Sequence, residues 1–158
     1  MNVSELMTTP VNSCGCDDNL QRAAQLMWEG DCGAIPVVDG EGRLVGMVTD
    51  RDVCMAAYTR GQALWQIPVS VAMANQVSRV NESDRIEVAV DVMRSAHVHR
   101  VPVLDGDGRL AGIVSMNDLA RHVQRSPSGK TNGLSSGTIA QTLAAICEPH
   151  ARVQIDAS

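Results

Sequence analysis

Ile35-Pro36-Val37-Val38-Asp39-Gly40-Glu41-Gly42-Arg43-Leu44-Val45-Gly46-Met47-Val48 returns 66 residues later as Val101-Pro102-Val103-Leu104-Asp105-Gly106-Asp107-Gly108-Arg109-Leu110-Ala111-Gly112-Ile113-Val114. The same offset carries Val3, Ser4 and Met7 onto Val69, Ser70 and Met73, with no gap up to Asp52 and its copy. Self-similarity at a fixed period identifies a repeated structural unit before any single residue is interpreted. Within each copy, two short apolar runs flank a Gly-containing turn at 39–42 or 105–108, which reads as a β-hairpin.

Working outward, Leu20, Ala23, Ala24, Leu26 and Met27 have helical spacing, as do Ile86, Ala89, Val90, Val92 and Met93 in the copy. Asp18 with Gln21, and Asp84 with Glu87, are expected to cap these helices reciprocally. A second helix is expected after each hairpin, over 50–59 and 116–124, and a short extended piece near Val11 and Val77 before each first helix. The unit is therefore β-α-β-β-α, twice. One unit has too few layers to cover its own sheet. The expected fold is α/β (α+β): two βαββα repeats packed sheet to sheet, helices outside, with pseudo-twofold symmetry.

The expected division is residues 1–62 for the first repeat, 63–68 for a connector and 69–125 for the second repeat. A flexible Gly/Ser-rich linker follows over 126–137, then a C-terminal helix and tail over 138–158. Ile139, Leu143 and Ile146 share one face of that helix. So short a helix is marginal in water alone, so it is expected to dock on the rest of the chain.

The chain has 158 residues, 44% of them hydrophobic, and a formal net charge of −5. An acidic chain lacks the broad basic face that DNA or RNA requires. Aromatics are limited to Trp28, Tyr58 and Trp65, too few for a base-stacking platform. No apolar run approaches the ~20 residues that span a bilayer, and the first residues lack the pattern of a secretory signal. A cytoplasmic home is expected, with no nucleic-acid or membrane partner. The five cysteines, Cys14, Cys16, Cys32, Cys54 and Cys147, then read as reduced thiols.

Each repeat closes on Gly46-Met47-Val48-Thr49-Asp50-Arg51-Asp52 or Gly112-Ile113-Val114-Ser115-Met116-Asn117-Asp118. With the preceding Ile35-Pro36-Val37-Val38-Asp39 and Val101-Pro102-Val103-Leu104-Asp105, and the leading Val-Ser-…-Met segments, these resemble the cystathionine beta-synthase (CBS) domain family over roughly residues 3–124. The layout is similar to small stand-alone bacterial two-CBS proteins, including the hypoxic response type. The resemblance implies a compact regulatory pair, often called a Bateman module. Its two clefts commonly bind AMP, ADP, ATP, NAD or S-adenosylmethionine. It implies signalling by conformational change and no catalysis of its own. No cofactor is expected, and the implied ligand is an adenine nucleotide.

Two readings stand for Thr49-x-x-Asp52 and Ser115-x-x-Asp118. The spacing is that of a helix capping box. In the functional reading the hydroxyl meets a phosphate or ribose oxygen at a helix N-terminus, and the carboxylate accepts from ribose hydroxyls. The resemblance places Ala34, Ile35 and Pro36, and Arg100, Val101 and Pro102, along an adenine pocket; as bare sequence they are equally core strands. It places 12–14 and Ser78, Arg79 and Val80 on the cleft walls. The copies differ in charge. Arg79, His97, His99 and Arg100 stand where the first copy has Ser13, Asp31, Gly33 and Ala34, while Arg51 faces Asn117. Phosphate needs donors and positive charge, so the second copy is better suited to it, with His99 and Arg100 as candidates.

Cys14-x-Cys16 with His97-x-His99 could ligate zinc only if all four met in space, and C-x-C is shorter than a usual zinc knuckle. No metal ligand or catalytic residue is assigned. No P-loop and no G-x-S-x-G occurs. A thiol- or zinc-dependent redox sensor and an interaction scaffold with unused clefts remain as alternatives. The resemblance also implies a homodimer, for which the apolar content of 53–58, 88–93 and 119–123 offers a face. The regulated partner is not legible in the residues.

Overall fold

The computed structural model describes residues 1–126, 130–131 and 133–149. The first half contains β1 (Cys14–Gly15), α1 (Leu20–Glu29), β2 (Ala34–Val38), β3 (Leu44–Thr49) and α2 (Asp50–Arg60). The second contains β4 (Val80–Asn81), α3 (Ile86–Ala96), β5 (Arg100–Leu104), β6 (Leu110–Ser115) and α4 (Met116–Arg125). A short hairpin, β7 (Lys130–Thr131) and β8 (Leu134–Ser135), leads into α5 (Ser136–Ile146).

The repeat survives in three dimensions down to register. Ala34 pairs with Thr49 and Val37 with Gly46 in the antiparallel β2–β3 pair; Arg100 pairs with Ser115 and Val103 with Gly112 in β5–β6. β1 and β4 run parallel to β2 and β5, giving two three-stranded sheets. The turns match too: Asp39 Oδ1 accepts from the backbone of Glu41 and Arg43, and Asp105 Oδ1 from that of Asp107 and Arg109, all at 2.9 Å. These donors, the Arg43 N–H first, hold the Asp39 carboxyl below its usual range. The two sheets meet at these turns, where Leu110 N donates to Gly42 O. The expected α/β architecture of two βαββα units is the observed one.

In space the leading segments of the two repeats are exchanged. Val3 is fully buried among Val80, Ile86, Val101 and Leu119 of the second half, while Ile67 and Val69 are fully buried among Leu20, Ile35 and Val48 of the first. Val3 N donates to Asp84 O, and Val69 N donates to Asp18 O. Within the 63–68 connector, Ile67 is part of the first core. Each exchanged segment ends on the edge of a sheet. Thr8 exchanges two backbone hydrogen bonds with Ile113 of β6, and Ala74 does so with Met47 of β3.

This approach explains the glycine of the repeated motif. A Cβ on Gly112 would stand 2.6 Å from Met7 Sδ and 3.0 Å from Thr8 O; one on Gly46 would stand 3.1 Å from Ala74 O. Only a residue without a side chain lets the crossing segment lie this close.

Several local expectations shift. The first strands lie at Cys14 and Val80, not at Val11 and Val77. Asp18 and Asp84 do not cap the helices; they accept from Gly15 N and Asn81 N, closing the turns after β1 and β4. Asn19 caps α1 by accepting from Arg22 N, and Arg85 occupies the N-cap of α3 with no side-chain bond. The 126–137 linker contains the β7–β8 pairing and the start of α5. Tail residues 150–158 lie outside the described residues.

α5 docks against α3 and α4. Its buried face carries Thr142 and Ile146 with Ile139 partly buried, whereas Leu143, expected inside, is exposed. Thr142 takes the inner place because Arg94 Nη2 donates to its Oγ1 at 3.1 Å and its own hydroxyl donates to Thr138 O. Replacing Ile146 by Ala is expected to cost about 2–5 kcal/mol, by loss of buried apolar contact and cavity formation. Denaturant unfolding that finds no change would show that the helix does not hold the second core.

Candidate functional site

Two helices begin on the same device. At α4, Ser115 N and Ser115 Oγ donate to Asp118 Oδ2 at 2.9 and 2.6 Å, and Asp118 N donates back to Ser115 Oγ at 3.3 Å. At α2, the corresponding distances among Thr49 and Asp52 are 2.9, 2.8 and 3.2 Å. Both motifs are therefore reciprocal capping boxes. Among the described residues, only the α4 box has a further side-chain partner: Arg121 Nη2 donates to Asp118 Oδ1 at 2.7 Å. The Asp118 side chain is 10% exposed and that of Arg121 62%.

Beside the α4 cap lies a cavity of about 390 Å³. Its walls come from well-separated parts of the chain. Thr8, Pro10, Val11 and Asn12 belong to the segment crossing from the second half to the first. Asp31, Cys32, Ala34 and Ile35 come from the end of α1 and the start of β2. Arg100, Ile113, Ser115, Asn117, Asp118 and Arg121 come from the second half. The cavity thus sits between the halves, and any occupant touches both.

Of the residues singled out in the sequence, this cavity gathers Ala34, Ile35, Arg100, Ser115 and Asp118, together with Asn12 of the expected wall. The rest do not line it. Pro36, Val101 and Pro102 are buried in the strands; Val101 and Val80 belong to the second core, as Cys14 does to the first. Ser78, Arg79 and His99 are exposed, and the carbonyl of His99 accepts from Met116 N. Thr49 and Asp52 cap α2, and Asp52 lines a separate cavity of about 270 Å³ with Met55 and Thr59. Arg121 was not singled out. Its position one helical turn after Asp118 was the signal for it.

A larger hollow of about 460 Å³ shares Asp31, Cys32 and Arg100 with the cleft but opens onto α1 and α2, beside Ala24, Met27, Trp28, Asp50 and Val53. It contains neither capping box. Residues 66 positions later, Val90, Met93, Val98, Met116 and Leu119, pack with Ile139 and Ile146 of α5. The hollow is the first-half counterpart of the face that α5 covers.

Residues 3–58 and 69–125 each match the model of the CBS domain. The chain belongs to the CBS domain family. It is 34% identical over 152 residues to Hypoxic response protein 1 of Mycobacterium tuberculosis, covering 93% of this chain and 94% of that protein. It is 37% identical over 118 residues to the CBS domain-containing protein YhcV of Bacillus subtilis, covering 75% and 82%. Among solved structures, this CBS pair is similar to Hypoxic Response Protein I with two coordinated zinc ions (TM-score 0.71, 33% identity, 77% and 98% of the two chains). It is also similar to CBSX2 in complex with AMP (TM-score 0.68, 25% identity, 78% and 96%).

Among the described residues, no group of three or more His, Cys, Asp and Glu side chains is placed to hold a metal ion. Cys14 is fully buried, and the Cys16 thiol leans on Val38 O at 3.6 Å. No helix among the described residues is long and apolar enough to cross a membrane.

Proposed function

We propose that this CBS pair is a cytoplasmic regulatory module that binds an adenosyl nucleotide in the cleft between its halves. The carrying observation is that one cavity brings together the Ser115–Asp118 pair, Arg100, the Ala34–Ile35 strand end and the crossing segment at Thr8–Asn12. Its volume lies within the roughly 300–1,000 Å³ of small-molecule sites. Ala34 and Ile35 offer an apolar wall to a base. Asp118 offers a carboxylate to ribose hydroxyls, and the α4 N-terminus with Arg100 and Arg121 offers positive charge to phosphate. The AMP complex of CBSX2 supports the ligand class.

Signalling follows from position. A ligand held by both halves favours whichever arrangement of them it binds more tightly, and the populations shift accordingly. No step of catalysis is assigned. In a thermal melt, a ligand at a hundred times its Kd adds about 2.7 kcal/mol of stability. A rise of a few degrees is expected with at least one of AMP, ADP, ATP, NAD or S-adenosylmethionine. No rise with any of them would leave the scaffold reading.

The alternative thiol or zinc sensor draws on the zinc-bound relative. Burial, and after it the Asp18 charge, push the Cys14 thiol up to about 11. Roughly one molecule in ten thousand then carries the reactive thiolate at pH 7. In the folded protein Cys54, exposed on α2, is expected to alkylate well before Cys14. Equal rates would favour the redox reading.

A homodimer is proposed as well, on a revised face. Val90, Met93, Leu119 and Val123, expected to contribute, are buried in the second core. The most exposed large apolar residues precede the second repeat: Trp28 (89%), which lines the hollow that α5 leaves uncovered, Tyr58 (81%) and Trp65 (61%). Light scattering is expected to give twice the chain mass. A monomer at working concentration would remove the proposal.

A further inference from the structure

The following rests on reading the cleft as a nucleotide site and names the ligand class within it. We propose that the cleft selects adenosyl ligands bearing a phosphate chain, and that Arg121 sets this selection.

Asp118 has few acceptors left to give. Its Oδ2 is engaged by both donors of Ser115, and its Oδ1 is held by Arg121. A ribose hydroxyl that needs Oδ1 must displace or share the guanidinium. For a neutral nucleoside, that exchange gives up a charge-assisted hydrogen bond and leaves Arg121 without an anion. For a nucleotide, a phosphate oxygen takes the guanidinium over. Arginine carries five N–H donors in a rigid fork, and one bond to Asp118 leaves the others for the ligand.

The space beyond Arg121 suits a chain of phosphates. A second cavity of about 390 Å³ adjoins the cleft, sharing Asp118 and Arg121, and is lined further by His122, Arg125, Glu5 and Leu6. Three basic side chains of one α4 face thus continue from the cleft, with Arg100 on its other wall. The acidic groups nearby are Asp31 on the cleft wall and Glu5, whose Oε1 already accepts from Asn2 N at 2.7 Å.

The first half provides an internal comparison. Its capping box has the same geometry, yet Met55, Ala56 and Thr59 stand where α4 has Arg121, His122 and Arg125, and Ala34 stands for Arg100. The fold therefore does not require a basic side chain at these four positions; the cations of the first half are placed differently, with Arg51 inside its motif and Arg60 at the far end of its matching cavity.

The test is Arg121→Met, which copies the first half, titrated calorimetrically beside wild type with adenosine and with ATP. Wild type is expected to bind ATP at least about tenfold tighter than adenosine. The variant is expected to lose about tenfold or more toward ATP, while adenosine holds or gains because Asp118 is released. Arg121→Lys, which keeps the charge, is expected to recover part of the ATP affinity. If Arg121 only steadies Asp118, both ligands weaken together or neither changes, and the proposal fails. Wild type that binds adenosine but not ATP overturns this proposal alone. Wild type that binds neither overturns this proposal; the nucleotide reading falls with it only if AMP, ADP, NAD and S-adenosylmethionine also fail in the thermal melt.

Discussion

Asp118→Ala is expected to weaken adenosyl-nucleotide binding about 10- to 100-fold, whereas Asp52→Ala has a smaller effect, although the two variants lose the same helix cap. The cap geometries agree within a few tenths of an ångström. Each substitution should therefore cost a similar amount of stability, about 0.5–2 kcal/mol. Binding separates them. Asp118 lines the cleft between the halves, and its loss removes charge-assisted hydrogen bonds of about 1.5–3 kcal/mol. At about 1.4 kcal/mol per tenfold, that gives the stated range. Calorimetric titration of both variants with AMP, ATP, NAD and S-adenosylmethionine checks it. Equal stability loss with unchanged affinity for Asp118→Ala would reduce Ser115 and Asp118 to a cap alone.

Gly112→Val is expected to damage stability and binding together. The first carbon of the new side chain would overlap Met7 Sδ and press on the backbone oxygen of Thr8. Methionine can turn aside, but the carbonyl is fixed by its bond from Ile113 N. Overpacking of this kind costs about 1–3 kcal/mol. The segment it pushes continues through Pro10, Val11 and Asn12, which wall the cleft, so ligand affinity should fall even where the variant remains folded. Gly40→Val is the contrast, because a Cβ there meets nothing within 4 Å. Parallel denaturant melts and titrations would read both effects. A Gly112→Val protein as stable as wild type would show that the crossing segment does not lie tightly on β6.

Most of the architecture was legible because a 66-residue offset without gaps can arise only from one unit used twice. It located the hairpins and the second helices; the strand registers, Ala34 opposite Thr49 and Arg100 opposite Ser115, came from the structure and repeat with the same offset. The exchange of leading segments was not legible. Val3 and Val69 are apolar in either arrangement, and a repeat says which residues are alike, not which half each packs into. The same blindness hid Thr8 and Pro10 from the cleft, since their place there depends on the crossing. Arg121 escaped because the comparison of charges between the copies stopped at the end of the motif, and it stands three residues past the last motif residue. On α5, hydropathy favoured Leu143 over Thr142, but a hydroxyl that meets Arg94 and Thr138 can be buried while the leucine faces out. The caps at Asp18 and Asp84 were misplaced by competition: a carboxylate two residues before a helix closes the preceding turn as readily as it caps the helix.

The most direct test of the central claim is a backbone amide chemical-shift map of the full chain titrated with AMP. The account predicts saturable shifts concentrated on residues 8–12, 31–35, 100 and 113–121, on both halves at once. Shifts confined to the hollow beside Trp28, shifts confined to one half, or none at saturating AMP would contradict it.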